Sequence, residues 1–251
     1  MFGPLDPREF DRILVISPHL DDAVLGASHL LHSHEGSTVI TVFAGRPAEY
    51  PAEPTPWDAL GGFKAGDDVA ALRRLEDRAA LDVLGASPLW LDFVDHQYLP
   101  KEQRATAAEV AAVLEKRIDE ISPTAVVLPM GLANPDHVVV HEAGLLVRDA
   151  LEAGGSERSW FCYEDGGYKH IPGMLAWRVA KLFRSGLWPT PAMVPVRPDE
   201  TIKRRSIECY TSQLPPLRED HALDERLAAH VPEQYWRLAP PPEGWEGLMD
   251  A

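Results

Sequence analysis

Short apolar runs alternate along this chain with longer amphipathic segments. The runs have the length and composition of buried strands, whereas the longer segments repeat their apolar positions at helical spacing. The predicted strands are Ile13–Ile16, Val39–Phe43, Pro88–Phe93, Ala125–Leu128 and Trp160–Tyr163. The predicted helices are Asp22–His32, a segment from Asp67 or Asp68 to Leu84, Thr106–Ile121 and a segment from about Val138 to Leu151. Four successive βα units predict an α/β fold of three layers with a mostly parallel sheet and right-handed crossovers.

Two stretches interrupt this alternation. Residues 44–66 are rich in proline and glycine, which disfavours regular structure, and we predict a long loop or lid there. Beyond Tyr163 the pattern weakens. The later predicted elements are a helix at Leu175–Phe183, a short strand near Met193–Val196, a helix at Glu200–Tyr210 and a Pro-rich tail over residues 214–251. Because no internal repeat or low-complexity linker divides the chain, residues 1–251 are predicted to form a single domain.

Composition narrows the class of protein. The 251 residues include 39 acidic and 24 basic ones, a net charge of −15, which argues against nucleic acid or an anionic membrane as a partner. The two cysteines, Cys162 and Cys209, do not form a disulfide framework of the kind that secreted domains use. The N-terminus lacks the pattern of a signal peptide, and no apolar run approaches the roughly 20 residues of a membrane span. We therefore expect a cytoplasmic protein.

Side chains that bind metals follow two of the predicted strands. His19, Asp21 and Asp22 come directly after the first strand, and Asn134–His137 comes after the fourth. Because the carboxyl ends of parallel strands meet at one edge of a sheet, His19, Asp22 and His137 are expected to converge on one cation. Two imidazoles and a carboxylate are typical of catalytic zinc, and Fe(II) accepts the same ligands. Asp21 would be the general base that takes a proton from metal-bound water.

These residues also resemble the signature of a known family. Ser17–Asp22, Ser-Pro-His-Leu-Asp-Asp, is similar to the first motif of the LmbE-like, or PIG-L-type, metal-dependent N-deacetylases, and Asn134–His137 is similar to the second. The resemblance covers most of the chain. It further includes Arg73, Glu76, Ala80, Leu84, Gly85, Asp95, Tyr163–Asp165, Tyr168, Lys203 and Tyr210–Gln213.

The resemblance implies a fold, a cofactor and an activity. The fold is Rossmann-like, zinc is held by His19, Asp22 and His137, and Asp21 is the base. The implied reaction is hydrolysis of an N-acetyl or larger N-acyl group on an amino sugar or glycoconjugate, with metal-bound water as the nucleophile. The family also tends to assemble, so a homo-oligomer is a further expectation.

The chain departs from the family pattern at two places. Leu20 and Ala23 stand where the first motif usually has proline and glutamate, a variant of a large subset of the family. Asn134 stands where the family has a histidine that assists the oxyanion or protonates the leaving amine. An amide donates a hydrogen bond but delivers no proton at neutral pH. Three alternatives follow: Asp21 moves protons both ways, another imidazole supplies the second proton, or the activity is reduced or altered.

The candidate side chains also have plain structural explanations. Asp21, Asp22 and Asp136 are suitable caps for the helices that begin beside them. Taken alone, the second motif favours capping, and only the two motifs together favour a metal site. His141 lies one turn after His137 on the same helical face, which makes it an alternative ligand or an accessory histidine. Histidines 29, 32 and 34 surround a predicted helix end, and we assign them no function.

Four further residues are candidate contacts to a substrate. The family resemblance adds Arg73 to the substrate contacts, and Asp95 follows the third strand, where sugar hydroxyls can meet it. Asn134 completes this set, and Trp57 in the long loop is a candidate platform for stacking against a sugar ring.

The predicted function is therefore zinc-dependent removal of an acyl group from the nitrogen of a small-molecule amino sugar or glycoconjugate. The alternative is a catalytically altered or inactive protein of the same fold that binds glycans or regulates, which Asn134 makes reasonable. A nucleotide-binding oxidoreductase is disfavoured because the first strand-to-helix turn lacks G-x-G-x-x-G.

Overall fold

A single sheet runs through the protein. The computed structural model describes residues 5–240 and residue 244. The strands are β1 (Ile13–Ser17), β2 (Thr38–Thr41), β3 (Ser87–Trp90), β4 (Ala125–Pro129), β5 (Ser159–Tyr163), β6 (Thr190–Ala192) and β7 (Tyr235–Arg237). Within the described residues their order is β3–β2–β1–β4–β5–β7–β6, with β1 to β5 parallel and β7 antiparallel to both its neighbours. The predicted α/β fold with a mostly parallel sheet is confirmed.

Helices cover both faces of this sheet. They are α1 (Asp22–Ser33), α2 (Pro56–Leu60), α3 (Val69–Leu84), α4 (Ala107–Ile121), α5 (Pro135–Ala153), α6 (Met174–Arg184), α7 (Glu200–Ile207), α8 (Leu214–His221) and α9 (Leu223–Ala228). Helices α1, α3 and α7 pack over one hydrophobic core, and α4, α5 and α6 pack over the other. The sheet between the two cores makes the three layers. No helix of the described residues is both long enough and apolar enough to cross a membrane.

Strands β1 and β4, at the centre of the sheet, position the loops that carry the polar side chains. Every residue of β1 and β4 is buried, as expected for nearly continuous apolar runs with helices on both faces. They pair in parallel, with Leu14 opposite Val126. The strand order reverses between them, since β2 and β3 lie on one side and β5 on the other. Ligand sites of open α/β sheets form at such a reversal, outside the carboxyl ends of the strands.

Helix α1 lies unusually close to the end of β5. A Cβ atom at Gly26 would be only 2.5 Å from Cδ2 of Tyr163, so a side chain at this position would force the helix away. The helical path is interrupted at Ala27 (φ −143°, ψ 25°). Two residues later, the backbone N–H of His29 donates to the Glu233 carboxylate, 3.1 Å away.

Glu233 ties three segments together. Its side chain is 4% exposed. It accepts hydrogen bonds from Lys203 on α7 (2.7 Å), Ser28 on α1 (2.8 Å) and Tyr235 on β7 (2.7 Å). These bonds hold the C-terminal part of the chain against α1 and α7.

The long loop over residues 44–66 contains a short helix, so the prediction of no regular structure there was wrong. Thr55 caps α2 by accepting a hydrogen bond from the backbone N–H of Asp58 at 3.2 Å. Pro56 is the first helical residue, where its missing N–H costs no hydrogen bond. The proline therefore begins a helix here instead of preventing one.

The Pro-rich tail over residues 214–251 was also interpreted wrongly where it is described. Helices α8 and α9 occupy its first part, and β7 lies inside the sheet, with Trp236 opposite Cys162 of β5. The local composition does not predict β7, because the strands that pair with it, β5 and β6, lie far away in the chain. The remainder of the tail, residues 241–243 and 245–251, lies outside the described residues.

Two neighbouring elements differ from their predicted positions. The strand expected near Met193–Val196 is β6, three residues earlier, where it pairs with β7. The helix expected to reach Tyr210 ends at Ile207. Both boundaries follow tertiary pairing and packing more than local propensity.

Replacing Glu233 should destabilise the protein strongly. In Glu233→Ala the buried ammonium group of Lys203 loses its partner, which typically costs about 3–5 kcal/mol. Burial alone would raise the pKa of Glu233, but Lys203 and His29 outweigh it and hold that pKa below its usual value. The carboxylate therefore stabilises the fold above about pH 4.5, its unfolded pKa, and loses this effect as the pH falls.

Denaturant unfolding of the wild type and the variant from pH 7 to pH 3 measures this difference. Exposed Glu208 on the same layer provides the control, and Glu208→Ala should stay within about 0.5 kcal/mol of the wild type. Equal unfolding midpoints for Glu233→Ala and the wild type at pH 7 would contradict the structural role.

Candidate active site and metal centre

Three predicted ligands converge at the edge where β1 and β4 end. Oδ2 of Asp22 lies 3.2 Å from Nδ1 of His19 and 3.1 Å from Nε2 of His137. One ligand atom from each residue lies within 4.8 Å of the other two. Residues more than 110 positions apart in the chain thus meet around one small volume.

Local structure explains this placement. Asp22 is the first residue of α1, and its carboxylate accepts a hydrogen bond from the backbone N–H of His19 at 2.9 Å. Asn134 caps α5, because its Oδ1 accepts from the backbone N–H of Asp136 at 2.8 Å. His137 consequently lies in the first turn of α5 and faces the loop after β1.

Carboxylates orient both imidazoles from behind. Nε2 of His19 lies 3.0 Å from Oδ2 of Asp136, and Nδ1 of His137 is hydrogen-bonded to Asp165. In each ring the other nitrogen is then free to face Asp22. Metal-binding histidines in proteins are usually held in this way.

The hydrogen bonding of His137 bears on whether a metal ion fits between these side chains. Nε2 of His137 is buried and makes no hydrogen bond within the described residues. An unpaired buried nitrogen beside a carboxylate and a second imidazole is costly unless a cation accepts its lone pair. The donor set of two nitrogens and one carboxylate oxygen therefore fits a divalent metal ion.

The electrostatics of the cluster agree with a missing positive charge. Burial would lower the pKa of His137, but Asp22 and Asp165 outweigh it and raise the pKa to about 9. Burial would likewise raise the pKa of Asp22, yet His137 and His19 hold it well below its usual value. The carboxylates around His137 thus favour a positive charge at this position.

Asp21 differs from its neighbour Asp22. Its side chain lines the cavity above the cluster, and the residue is 6% exposed. Burial and the charge of Asp22 raise the pKa of Asp21 to about 7. A carboxylate with a pKa near neutrality is suited to accepting and returning a proton.

The predicted substrate contacts line the same cavity, which has a volume of about 290 Å³. Arg73 lies in its wall and forms an ion pair with Asp58 at 2.9 Å. Asp95 caps a 3₁₀ turn, accepting from the backbone N–H of Gln97 at 2.9 Å, and lies 3.9 Å from Nε2 of His19. Asn134 also faces the cavity.

Trp57 forms part of the wall opposite these polar residues. Its indole N–H donates to Oε1 of Gln213 at 2.8 Å, and Nε2 of Gln213 donates to the carbonyl of Leu20 at 3.2 Å. The 44–66 loop is therefore connected to the first motif through a residue of the C-terminal segment.

Other histidines lie apart from the cluster. His141 is buried, its Nδ1 lies 2.9 Å from the carbonyl oxygen of Pro129, and it belongs to no possible metal group among the described residues. The alternative in which it replaces His137 receives no support. His29 lies 3.7 Å from Glu233, and His34 lies 2.8 Å from the carbonyl of Pro195.

Several residues of the site were not predicted as such. Asp136 is predicted only as a helix cap within the second motif, and Asp165 only as part of the family resemblance, although both contact an imidazole. His96 follows Asp95 in the sequence and carries no motif of its own. His221 lies in the segment interpreted as a tail, and no sequence pattern marks it as part of a cavity.

A family model matches the part of the chain that carries these residues. The family is PIG-L, described as GlcNAc-PI de-N-acetylase, and the match covers residues 14–150, more than half of the chain. The chain belongs to the PIG-L family. No curated protein sequence matches it.

Solved structures extend the similarity of this PIG-L member over nearly the whole chain. The zinc-inhibited form of teicoplanin deacetylase Orf2 is 26% identical, with a TM-score of 0.70 and coverage of 93% of this chain and 100% of that chain. The A40926 pseudoaglycone deacetylase Dbv21 is 29% identical, with a TM-score of 0.68 and coverage of 92% and 98%. The N,N′-diacetylchitobiose deacetylase from Pyrococcus horikoshii shares the fold at 18% identity, with a TM-score of 0.64 and coverage of 95% and 88%.

Family membership and these likenesses identify the activity class. The PIG-L chain is a metal-dependent N-deacetylase. Its His/Asp cluster is a possible site for the metal.

Loss of the charge behind His137 should weaken metal binding. Asp165→Asn keeps the size of the side chain but removes the negative charge, so we expect the affinity for a divalent metal to fall about 10–100-fold. Competition with a chromophoric chelator measures the affinity. Asp149→Asn, at an exposed carboxylate on α5, is the control and should bind metal like the wild type. Unchanged affinity in Asp165→Asn would show that Asp165 does not support the centre.

Proposed function

We propose that this protein is a zinc-dependent hydrolase that removes an N-acetyl or N-acyl group from an amino sugar or glycoconjugate. His19, Asp22 and His137 would hold the metal, with Fe(II) as the alternative ion. The observation that carries the proposal is the convergence of these three side chains, each imidazole oriented by its own carboxylate, on the floor of a cavity.

The residues around the cluster account for the reaction. A bound zinc ion would supply Lewis acidity, which lowers the pKa of water and polarises the acyl carbonyl. Asp21 accepts the proton of the attacking water, because its carboxylate lies in the cavity lining next to the ligand Asp22. Asp136 and Asp165 keep the two imidazoles in place.

The walls of the cavity suit a sugar. Asp95 and Asn134 offer polar groups to hydroxyls or to the acylamino group, and Arg73 lies beside them. Trp57 offers an aromatic face, held in one orientation by Gln213. Among the similar structures, teicoplanin deacetylase and the A40926 pseudoaglycone deacetylase are deacetylases by name, which supports removal of an acyl group.

Removal of the base should abolish turnover but leave the metal bound. For Asp21→Asn we expect a fall in kcat of about 10²–10⁴-fold, the usual contribution of general base catalysis. Acetate release from a panel of N-acetyl amino sugars and their glycosides measures activity, and elemental analysis measures metal content. Asp82→Asn, at an exposed carboxylate on α3, is the matched control.

The same panel separates the proposal from its alternative. Wild-type protein that holds zinc and binds these sugars, yet releases no acyl group, would indicate the glycan-binding alternative. Purified protein without stoichiometric metal, and without a gain of activity when zinc is added, would overturn the proposed function.

Trp57 should matter for binding more than for chemistry. Trp57→Leu keeps an apolar side chain but removes the aromatic face, so we expect KM to rise about tenfold, equivalent to about 1.4 kcal/mol, with kcat changed much less. Trp177→Leu, at a half-exposed tryptophan of α6 outside the cavity wall, is the control. A KM for Trp57→Leu equal to that of the wild type would exclude the stacking role.

A further inference from the structure

Hydrolysis of an amide needs a proton at the departing nitrogen as well as a base for water. Asn134 lies in the wall of the cavity, and its side chain makes two hydrogen bonds. Its Oδ1 accepts from the backbone N–H of Asp136 (2.8 Å), and its Nδ2 donates to the hydroxyl of Tyr168 (3.2 Å). An amide has no acidic proton at neutral pH. The proton must therefore come from another group in the cavity, either Asp21 returning the proton of water or an imidazole.

His96 is placed to supply it. It begins a 3₁₀ turn, His96–Tyr98, which Asp95 caps, and it lines the cavity beside the metal cluster. Its Nδ1 lies 3.0 Å from Oδ2 of Asp136 and 3.3 Å from Oδ1 of Asp95. Its backbone N–H donates to the same Asp136 oxygen at 3.1 Å. Two carboxylates and the backbone thus hold the ring in one orientation.

The other ring nitrogen of His96, a residue of the cavity lining, is left open. Within the described part of the chain, Nε2 has no hydrogen-bond partner, and the side chain is 25% exposed. A ligand atom of His96 lies within 4.8 Å of one from each of His19, Asp95 and Asp136. Because His96 lines the cavity and its Nδ1 is engaged with Asp136, Nε2 is the ring nitrogen left for the acylamino group.

The charged groups around His96 favour its protonated form. Asp136 on α5 and Asp95 on its own turn both face the ring, with His19 beyond them. Hydrogen bonds that the ring donates to Asp136 and Asp95 raise the pKa of His96 to about 9, although burial acts in the opposite direction. An imidazole backed by a carboxylate is a common proton donor in enzymes.

A second imidazole in the cavity wall lacks these features. Nδ1 of His221 lies 3.0 Å from the carbonyl oxygen of Gly167, so this nitrogen carries the proton and a neutral ring leaves Nε2 without one. The ring packs edge-on against Tyr168 (5.1 Å between centroids) and near Trp57 (5.8 Å). Burial lowers its pKa. His221 is thus a matched comparison for His96: the same ring in the same cavity, without a carboxylate.

We propose that His96, oriented by Asp136, donates its Nε2 proton to the amine that leaves in the deacylation reaction. This inference rests on the proposed function. Asp21 takes one proton from water, and the resulting oxygen nucleophile bonds to the acyl carbon. When the C–N bond breaks, its electron pair stays on nitrogen, which takes the proton from Nε2 of His96. The products are a carboxylic acid, which then loses its proton to solvent, and a free amine, and exchange with solvent returns a proton to His96 and removes one from Asp21.

The test compares His96→Gln with His221→Gln on an N-acetyl amino sugar that the wild type hydrolyses. Glutamine retains polar contacts to Asp136 but donates no proton to an amine. We expect kcat of His96→Gln to fall at least 100-fold with KM within about threefold, whereas His221→Gln stays within about fivefold of the wild type in kcat. Metal content and thermal unfolding midpoint should match the wild type in both variants. Added imidazole should restore part of the activity of His96→Ala.

The wild-type pH profile gives a readout that does not depend on the folding of a variant. The kcat of the wild type should fall on the basic side, near pH 9, as His96 loses its proton. His96→Gln should lack this basic limb.

Several outcomes would overturn the inference. They are a His96→Gln enzyme within fivefold of the wild type, an equal loss in His221→Gln, a loss of bound metal in His96→Gln, or a wild-type kcat that is flat to pH 10. A wild type that releases no acyl group from any member of the panel contradicts the proposed function itself, and this result is distinct from an active wild type with an active His96→Gln.

Discussion

The site depends on the meeting of buried carboxylates and imidazoles at the reversal point of the sheet. Asp22, with His19 and His137 on either side, lies where water cannot screen its charge. Buried charges are tolerated only when they are paired or bound to a metal. The cluster therefore fits a cation, and the surrounding residues hold these three side chains around one small volume.

The carboxylates that support the cluster belong to, or directly follow, helices and strands that pack against the hydrophobic core. Asp136 belongs to the first turn of α5, and Asp165 follows β5, so both carboxylates are positioned by secondary structure that packs on the sheet. Asp136 has a second contact, since the same oxygen that faces His19 also faces His96. One carboxylate thus couples the metal centre to the imidazole we assign to the leaving amine, and proton delivery and metal binding share a support.

Part of the cavity wall comes from the short helices α2 and α8, outside the central βα units. Trp57 comes from the 44–66 loop, and Gln213 and His221 come from the C-terminal segment. They form a wall because Trp57 bonds to Gln213, which bonds to the backbone of the first motif. In this fold the His/Asp cluster lies at the sheet edge, whereas Trp57, the proposed stacking residue, lies on α2.

The sequence by itself determined the strand–helix alternation, the parallel sheet and the cluster of His19, Asp22 and His137, because strand ends of a parallel sheet share one edge. It also pointed to Asp21, Arg73, Asp95 and Asn134 as neighbours of one cavity.

Only the tertiary structure decided the rest. It inserted β7 next to β5, placed a helix at Pro56, and brought His96 and His221 to the cavity from segments without a motif. Their positions depend on packing and hydrogen bonds between residues far apart in the chain, such as His96 with Asp136, and no local pattern records such a contact.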